Sequence, residues 1–266
     1  MAFSKFEEQV FLTTVLIQNL TDGEFGTGFL ITKPIDPSDP KKKKILLFSN
    51  KHVFWGKADM KNPEAKKKLS LTLHRRETDG SYKPGSVHTF IFETDRKQAG
   101  YFDHPEENVD VACANISDVG NKNIPLNIIA LDVDNFIDFD KNVLTASTKI
   151  LFVGYPTGFY DRKHWLPVMR LGSIASIPSI NFNGERQILV DAQVFPGSSG
   201  SPVFVSVNGR YKLLGIISNG VQKRLDFAEV KKSTNDQEQK NQIPTEWMGL
   251  GLLFTNETIK EGYNLA

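Results

Sequence analysis

The sequence predicts an all-β protein built of two similar halves. Valine, isoleucine, leucine and phenylalanine recur in short runs of strand length. Glycine, asparagine and aspartate mark turns between these runs. Many short strands at regular spacing, in two halves, are typical of paired antiparallel β-barrels or of a β-sandwich. A chain of 266 residues is long enough to bury such a core without disulfides.

Six segments of the first half have the pattern of β-strands. They comprise residues 10–19, 26–31, 45–48, 69–74, 87–92 and 109–116. Apolar and polar side chains alternate over 69–74, which is typical of a strand with one solvated face. Residues 34–44 predict a solvated loop despite four consecutive lysines, and the charged stretch 57–68 predicts a short helix.

The second half repeats this rhythm of short strands. Its predicted strands are residues 150–153, 171–177, 187–191, 203–207, 211–217 and 247–255. The dipeptide Asn208-Gly209 predicts a two-residue hairpin turn between two of them. The charged residues 223–242 predict an exposed insertion, whose role the sequence leaves open. Residues 256–265 predict a short terminal helix.

Charge and composition argue against several classes of partner. The formal net charge is +1, so no overall field would attract nucleic acid or a membrane surface. The N-terminus lacks a signal-peptide pattern, and no apolar run approaches membrane-spanning length. Cys113 is the only cysteine, so we expect a small core residue in a cytosolic protein. A cysteine-poor bacterial exoprotein is the alternative.

An acidic cluster lies between the two halves of the chain. Its members are Asp132, Asp134, Asp138 and Asp140. Their spacing lacks the glycine and the terminal glutamate of a calcium-binding loop. We therefore predict that the protein binds no metal there.

The turn at residues 195–203 is the first candidate for chemistry, and it reads Phe-Pro-Gly-Ser-Ser-Gly-Ser-Pro-Val. Glycines bracket a serine pair, and prolines close both ends. A sharp turn of this kind exposes one hydroxyl and aims backbone N–H groups at the space above it. Acyl transfer needs both an exposed nucleophile and fixed donors for the oxyanion. The alternative is an ordinary turn between two strands.

A histidine and an aspartate have positions that suit the same chemistry. His52 follows the apolar strand 45–48, which can hold it rigidly, whereas the other histidines lie in charged or loop surroundings. Asp110 interrupts an apolar alternation, and a buried carboxylate is costly unless it is paired. It could orient a histidine and stabilise its cation, or it could lie on the solvated face of its strand.

Four motifs then carry a resemblance to a known family. In chain order they read GTGFLI at 26–31, FSNKHV at 48–53, VDVA at 109–112 and GSSGSP at 197–202. This order resembles the trypsin-like serine proteases of chymotrypsin fold, and their bacterial HtrA and V8-like branch more than the digestive enzymes. The resemblance covers residues 10–256. It implies two antiparallel six-stranded β-barrels with the active site in the cleft between them.

The resemblance also implies a division of the chain and a set of roles. The division is an N-terminal barrel at 1–125, a connection at 126–148, a C-terminal barrel at 149–256, and a helix or tail at 257–266. Ser199 matches the nucleophile, His52 the general base and acid, and Asp110 the orienting carboxylate, with Asp103 as the next candidate. The backbone N–H groups of Gly197 and Ser199 match the oxyanion hole.

Substrate preference is harder to predict from the resemblance. Gln193, Ser218, Asn219 and Gly220 match the base and wall of the specificity pocket. No acidic residue lies at that base, so we expect no trypsin-like preference for arginine or lysine. Ile217 stands where V8-type enzymes have a histidine, so a preference for glutamate is not expected either. The expectation is a small or medium side chain, apolar or uncharged polar.

Two further departures from the family bear on regulation. Ser198 stands where digestive enzymes have the aspartate that receives the freed N-terminal amine. A serine cannot form that ion pair, so we expect no trypsin-style zymogen activation. The chain also ends soon after the last predicted strand, so we expect no PDZ module.

The sequence therefore predicts a cytosolic serine endopeptidase without cofactor or metal. Its partners would be a protein or peptide substrate, cleaved in restricted processing, and a regulatory protein is a further candidate. No partnership with nucleic acid or membrane is expected. The main alternative is a catalytically silent protease fold that binds peptides as a scaffold. A third possibility is an unrelated β-sandwich in which the motifs coincide by chance.

Overall fold

The computed structural model describes residues 5–36, 38–77, 79, 81–97, 100–117, 129–224 and 245–266. Its first half is one antiparallel sheet of seven strands, in the order β5-β4-β1-β2-β3-β7-β6. The strands are β1 (Thr14–Asn19), β2 (Glu24–Asp36), β3 (Asp39–Ser49), β4 (Lys66–Arg76), β5 (Tyr82–Asp95), β6 (Tyr101–Asp103) and β7 (Ala112–Asn115). Helix α1 (Lys5–Leu12) precedes the sheet, and the short helix α2 (Lys51–Trp55) follows β3.

The second half is a closed antiparallel barrel of six strands. Its order is β10-β13-β12-β11-β8-β9. The strands are β8 (Lys149–Gly154), β9 (Val168–Ile174), β10 (Gln187–Asp191), β11 (Pro202–Val207), β12 (Arg210–Arg224) and β13 (Thr245–Thr255). Helix α3 (Asn256–Leu265) follows β13.

This architecture confirms the predicted all-β, chymotrypsin-like fold. The second unit has the six strands expected of it. The first unit differs in detail, because its described residues form a seven-stranded sheet rather than a closed barrel of six strands. The additional strand β6 lies between two of the predicted strands, where the sequence predicts none, and it pairs with β7.

Three local predictions also differ from the structure. Residues 10–12 belong to α1 and not to the first strand, since the acidic Glu7 and Glu8 favour the start of a helix. The stretch 57–68 is not helical but turns into β4, because Pro63 cannot donate within a helix. Residues 34–36 and 38–44 are not a loop but extend the β2–β3 hairpin, on which Lys42 and Lys43 are exposed to solvent.

The apolar core joins the two units. One buried cluster contains side chains of both halves, among them Phe29 and Phe48 of the first sheet and Val153 and Ile216 of the barrel. Cys113 belongs to the same cluster, as expected of a small core residue. Burial raises the pKa of its thiol to about 12, so the thiolate is scarce at neutral pH. Of two further clusters, one fills the interior of the first unit and the other fills the interior of the barrel.

The predicted domain limits stay predictions, and the ends of the described elements near them are as follows. Strand β7 ends at Asn115, β8 begins at Lys149, and α3 occupies the predicted terminal helix. The limit at residue 125 and most of the predicted insertion, residues 225–242, lie outside the described residues. In the connection, Asp132 accepts a hydrogen bond from the Asp134 N–H at 3.0 Å, which closes a local turn. None of the described helices is long and apolar enough to cross a membrane.

Candidate active site

His52 is held at the end of β3 by the short helix α2. The last four residues of β3, 46–49, are buried, and the helix turns Phe54 and Trp55 into the core of the first unit. Gly56, with φ +73°, ends the helix after little more than one turn. His52 is therefore only 9% exposed, and its ring has little freedom to move.

Asp110 uses both of its carboxylate oxygens on His52. Oδ2 lies 2.5 Å from Nδ1 of the ring, and Oδ1 accepts the backbone N–H of His52 at 3.1 Å. Asn50 donates to the Asp110 carbonyl at 2.6 Å and so ties the two segments together. A carboxylate only accepts hydrogen bonds, so Nδ1 carries the ring hydrogen and Nε2 is left as an acceptor.

Asp103 lies elsewhere. Its carboxylate accepts from the indole N–H of Trp55 at 3.1 Å and pairs with Arg96 at 3.1 Å. Of the two candidate carboxylates, the structure thus brings Asp110 to the histidine.

The serine turn is shaped by two glycines and anchored to the opposite unit. Gly197 and Gly200 have φ of +84° and +88°, which side-chain-bearing residues rarely adopt. A Cβ on Gly200 would overlap the carbonyl oxygen of Thr27 in β2. Thr27 itself donates its N–H to the Ser199 carbonyl at 2.9 Å and its hydroxyl to the Gly197 carbonyl at 2.8 Å.

Thr27 is therefore a residue whose role sequence reasoning missed. Its hydroxyl also accepts the N–H of Tyr155 at 3.0 Å, so a single side chain links β2, the serine turn and the end of β8. The sequence showed Thr27 only as part of the GTGFLI motif. Its two flanking glycines, which allow close backbone approach, were the available signal.

Only one serine of the pair is available to react. Ser198 is buried, and its hydroxyl has no hydrogen-bond partner among the described residues. Ser199 is partly exposed, and it lines a cavity of about 460 Å³ together with His52, Gly197 and Asn219. In this conformation the Ser199 hydroxyl donates to the Ser218 carbonyl at 2.8 Å rather than to His52.

The backbone donors of the turn fall into two groups. The N–H groups of Ser198, Gly200 and Ser201 all donate to carbonyls within or beside the turn. Within the described part of the chain, those of Gly197 and Ser199 donate to none. These two are the donors that the resemblance assigns to the oxyanion hole.

The four predicted pocket residues do not all meet at Ser199. Asn219 and Gly220 line its cavity, whereas Ser218 lines the adjoining cavity of about 720 Å³ beside His52 and Asp110. Gln193 is exposed and lines neither of these two cavities. It faces a third one on the far side of Phe195.

An aromatic wall that the sequence did not suggest closes the cavity at Ser199. Trp247 of β13 lies against Gly220, where a Cβ would meet the indole ring at about 2.5 Å. Phe195 packs edge-on against the same ring, with centroids 5.9 Å apart. The approach of β13 to β12 at a glycine brings this wall into place, and that approach depends on strand pairing.

A two-unit β fold with a His–Asp pair facing a serine turn defines the class of trypsin-like peptidases. The family model for the trypsin-like peptidase domain matches residues 26–216, so the chain belongs to that family. No match was found among curated proteins. Among solved structures, the crystal structure of Deg5 is similar, with a TM-score of 0.49 and 14% identity. The similarity covers 82% of this chain and 88% of that one.

Family and fold together support a protease, that is, a hydrolase whose substrates would be proteins or peptides.

Proposed function

We propose that the protein is a serine endopeptidase in which Ser199, His52 and Asp110 form a catalytic triad. The observation that carries the proposal is the two-point contact between Asp110 and His52, beside the cavity in which Ser199 is exposed. The contact leaves Nε2 of His52 as a proton acceptor on a rigid ring. A weak nucleophile such as a serine hydroxyl needs such a base.

In the first half of the reaction, the Ser199 hydroxyl turns from the Ser218 carbonyl to Nε2 of His52. This step requires the Ser199 side chain to rotate about χ1 to another staggered position. His52 takes the proton as Oγ bonds to the carbonyl carbon of the substrate, and Asp110 stabilises the imidazolium. The N–H groups of Gly197 and Ser199 bind the oxyanion, and each such donor is worth about 3 kcal/mol of barrier.

The second half releases both products. The tetrahedral intermediate collapses, the peptide C–N bond breaks, and His52 protonates the leaving amine, which leaves an acyl ester on Ser199. Water then gives a proton to His52 and attacks the ester carbonyl. When this second intermediate collapses, the proton returns to Oγ of Ser199 and the acid product departs.

The aromatic wall supports the expected preference for a small or medium side chain. Trp247 and Phe195 occupy space beside Gly220 that a large side chain of the substrate would need. Restricted processing of a partner protein in the cytosol is part of the same proposal.

One observation favours a second function. The Ser199 hydroxyl is already paired with the Ser218 carbonyl, as it would be in a protein that binds peptides without cleaving them. A fluorophosphonate probe separates the two functions, because it reacts only with an activated serine. We expect the probe to label the wild-type protein and Ser198→Ala, the matched control, but not Ser199→Ala.

Failure of a folded wild-type protein to react would contradict the endopeptidase and favour the scaffold. Labelling that persists in Ser199→Ala would show that another residue is the nucleophile.

A further inference from the structure

A second groove lies beside the catalytic cavity, on the other side of Phe195. It has a volume of about 580 Å³, and residues 168–171 of β9 form one wall. Phe159 and Gln193 line it as well. Thr157 and Phe195 line both this groove and the cavity at Ser199, so the two spaces share a wall. We call it the Arg170 groove, after its central residue.

Most of the residues that line the Arg170 groove are apolar. Phe159 is 70% exposed and Leu171 is 76% exposed. Val168 and Met169 add partly buried apolar surface. Exposed apolar side chains that gather in one place mark sites of interaction with another molecule.

Arg170 is the only charged side chain among the described residues that line the groove. Its guanidinium lies over the Phe195 ring, 4.8 Å from the centroid, and donates to Oε1 of Gln193 at 3.2 Å. Within the described part of the chain, no carboxylate lies at ion-pair distance from it. Partial burial lowers the pKa of the guanidinium, in keeping with a cation that has lost water without gaining an anion.

The backbone of β9 leaves an edge open at the same place. Residues 168–173 pair with β8 on one side. On the other side, β10 pairs only with Ser173 and Ile174. Residues 168–171 therefore have no second strand partner among the described residues. An open strand edge can take up an extended peptide, with its neighbouring pockets selecting side chains.

We propose that the Arg170 groove binds an extended, acidic and apolar segment of the protein substrate, next to the segment that is cleaved. A carboxylate of that segment pairs with Arg170, and its apolar side chains cover Phe159 and Leu171. The wall shared with the catalytic cavity favours the substrate itself as the occupant, since each extended residue adds about 3.3 Å of reach. The inference rests on the proposed endopeptidase function.

Direct binding to the full-length Ser199→Ala protein tests the groove without cleavage. The probe is a fluorescein-labelled peptide of valine, serine and glutamate, compared by anisotropy with the same peptide carrying glutamine for glutamate. We expect the acidic peptide to bind about tenfold more tightly, the size of one charge-assisted hydrogen bond. Introducing Arg170→Gln into the Ser199→Ala protein should abolish this preference. Introducing Arg210→Gln instead, at the exposed start of β12, should preserve it.

A second variant guards against misfolding of Arg170→Gln. Phe159→Ser alters an exposed wall of the groove and should weaken binding of both peptides without lowering the unfolding temperature. The proposal is wrong if the two peptides bind equally, if neither binds, or if Arg170→Gln leaves the preference intact. It is also wrong if the acidic peptide accelerates fluorophosphonate labelling of the wild-type protein, which would identify an effector site instead.

The labelling experiment tests the endopeptidase and the binding experiment tests the groove, so the two proposals can be contradicted independently. Labelling of Ser199 without a charge preference in peptide binding would support the endopeptidase and contradict the proposed role of the Arg170 groove. Arg170-dependent peptide binding in a protein that the probe never labels would support a peptide-binding site and contradict the endopeptidase.

Discussion

At the scale of single residues, the contact between Asp110 and His52 defines the chemistry of the site. Both carboxylate oxygens are engaged, one by the ring and one by the backbone of the same residue. The histidine can therefore neither flip its ring nor change tautomer without breaking a charge-assisted hydrogen bond.

The first prediction concerns this carboxylate. Asp110→Asn should lower kcat on a cleaved peptide by about 10⁴-fold, because the amide favours the wrong tautomer of His52. The control is Asp103→Asn, which alters a carboxylate that contacts Trp55 and Arg96 instead. A large loss of kcat in the control with near-normal turnover of Asp110→Asn would reverse the assignment.

A second titratable residue, His74, makes stability depend on pH. It lies on β4, and burial lowers its pKa from 6.5 to about 4. Between these values the unfolded chain binds a proton that the folded protein excludes. Stability is therefore full above pH 6.5 and falls as the pH drops toward 4, by about 3 kcal/mol from this residue.

Urea unfolding at several pH values checks this prediction. His74→Gln should flatten the fall in unfolding free energy between pH 6.5 and 4, whatever its effect at neutral pH. His88→Gln, on the neighbouring strand, should keep the wild-type slope. An unchanged slope in His74→Gln would mean that other groups cause the acid sensitivity.

At the scale of elements, the serine turn is held by its contact with β2. The hydroxyl of Thr27 donates a hydrogen bond to the Gly197 carbonyl and accepts one from the Tyr155 N–H. The turn is thus positioned by a strand of the other unit, and the position of Ser199 depends on contact between the two units.

The third prediction follows from this contact. Thr27→Val keeps the shape of the side chain but leaves two buried polar groups unpaired, which costs about 1 to 3 kcal/mol of stability. We expect slower fluorophosphonate labelling as well, because the turn loses its anchor. Thr27→Ser keeps the hydroxyl and should label at close to the wild-type rate.

Equal labelling rates for the valine and serine variants would show that the hydroxyl does not position the turn.

At the scale of the whole molecule, a network of charges joins three parts of the chain. Arg186, just before β10, donates to Glu106 of the first unit at 2.7 Å and to Glu261 of α3 at 2.5 Å. Glu261 also accepts from His104 at 2.7 Å. His104 and the two glutamates lie close enough together to bind a metal ion, but both carboxylates are already paired with the Arg186 guanidinium.

The fourth prediction concerns Arg186→Gln. The variant should lower the free energy of unfolding by about 1 kcal/mol, since the ion pairs are partly exposed. The hydrogen bond from Arg186 lowers the pKa of Glu261, so this contribution disappears as acid protonates that carboxylate. Added salt should shrink the effect, and Arg162→Gln, on an exposed loop, should show none. A salt-independent loss would point to packing rather than charge.

Much of the candidate site could be predicted from the sequence. His52 follows an apolar run in the sequence, Asp110 interrupts another, and Ser199 lies in a segment rich in glycine and proline. These signals are local, because strand ends and tight turns depend on residues close to one another in the chain. The choice of Ser199 over Ser198 came from the resemblance, and burial of Ser198 agrees with it.

The remaining features could not be predicted in this way. Gln193, expected at the base of the pocket, faces the Arg170 groove, while Trp247 closes the cavity at Ser199. Both placements depend on how β13 and the segment before the serine turn pack against β12. Pairing between segments far apart in the chain leaves no local pattern.

The sequence by itself determined the strand-rich pattern, the two halves and the chain order of histidine, aspartate and serine. Tertiary structure alone decided that both carboxylate oxygens of Asp110 contact His52, and that Thr27 anchors a turn 170 residues away. It also decided that, among the described residues, an arginine without an ion-pair partner borders an open strand edge beside the cavity. Periodicity and turn chemistry act over a few neighbouring residues, whereas these contacts exist only once two folded units pack against each other.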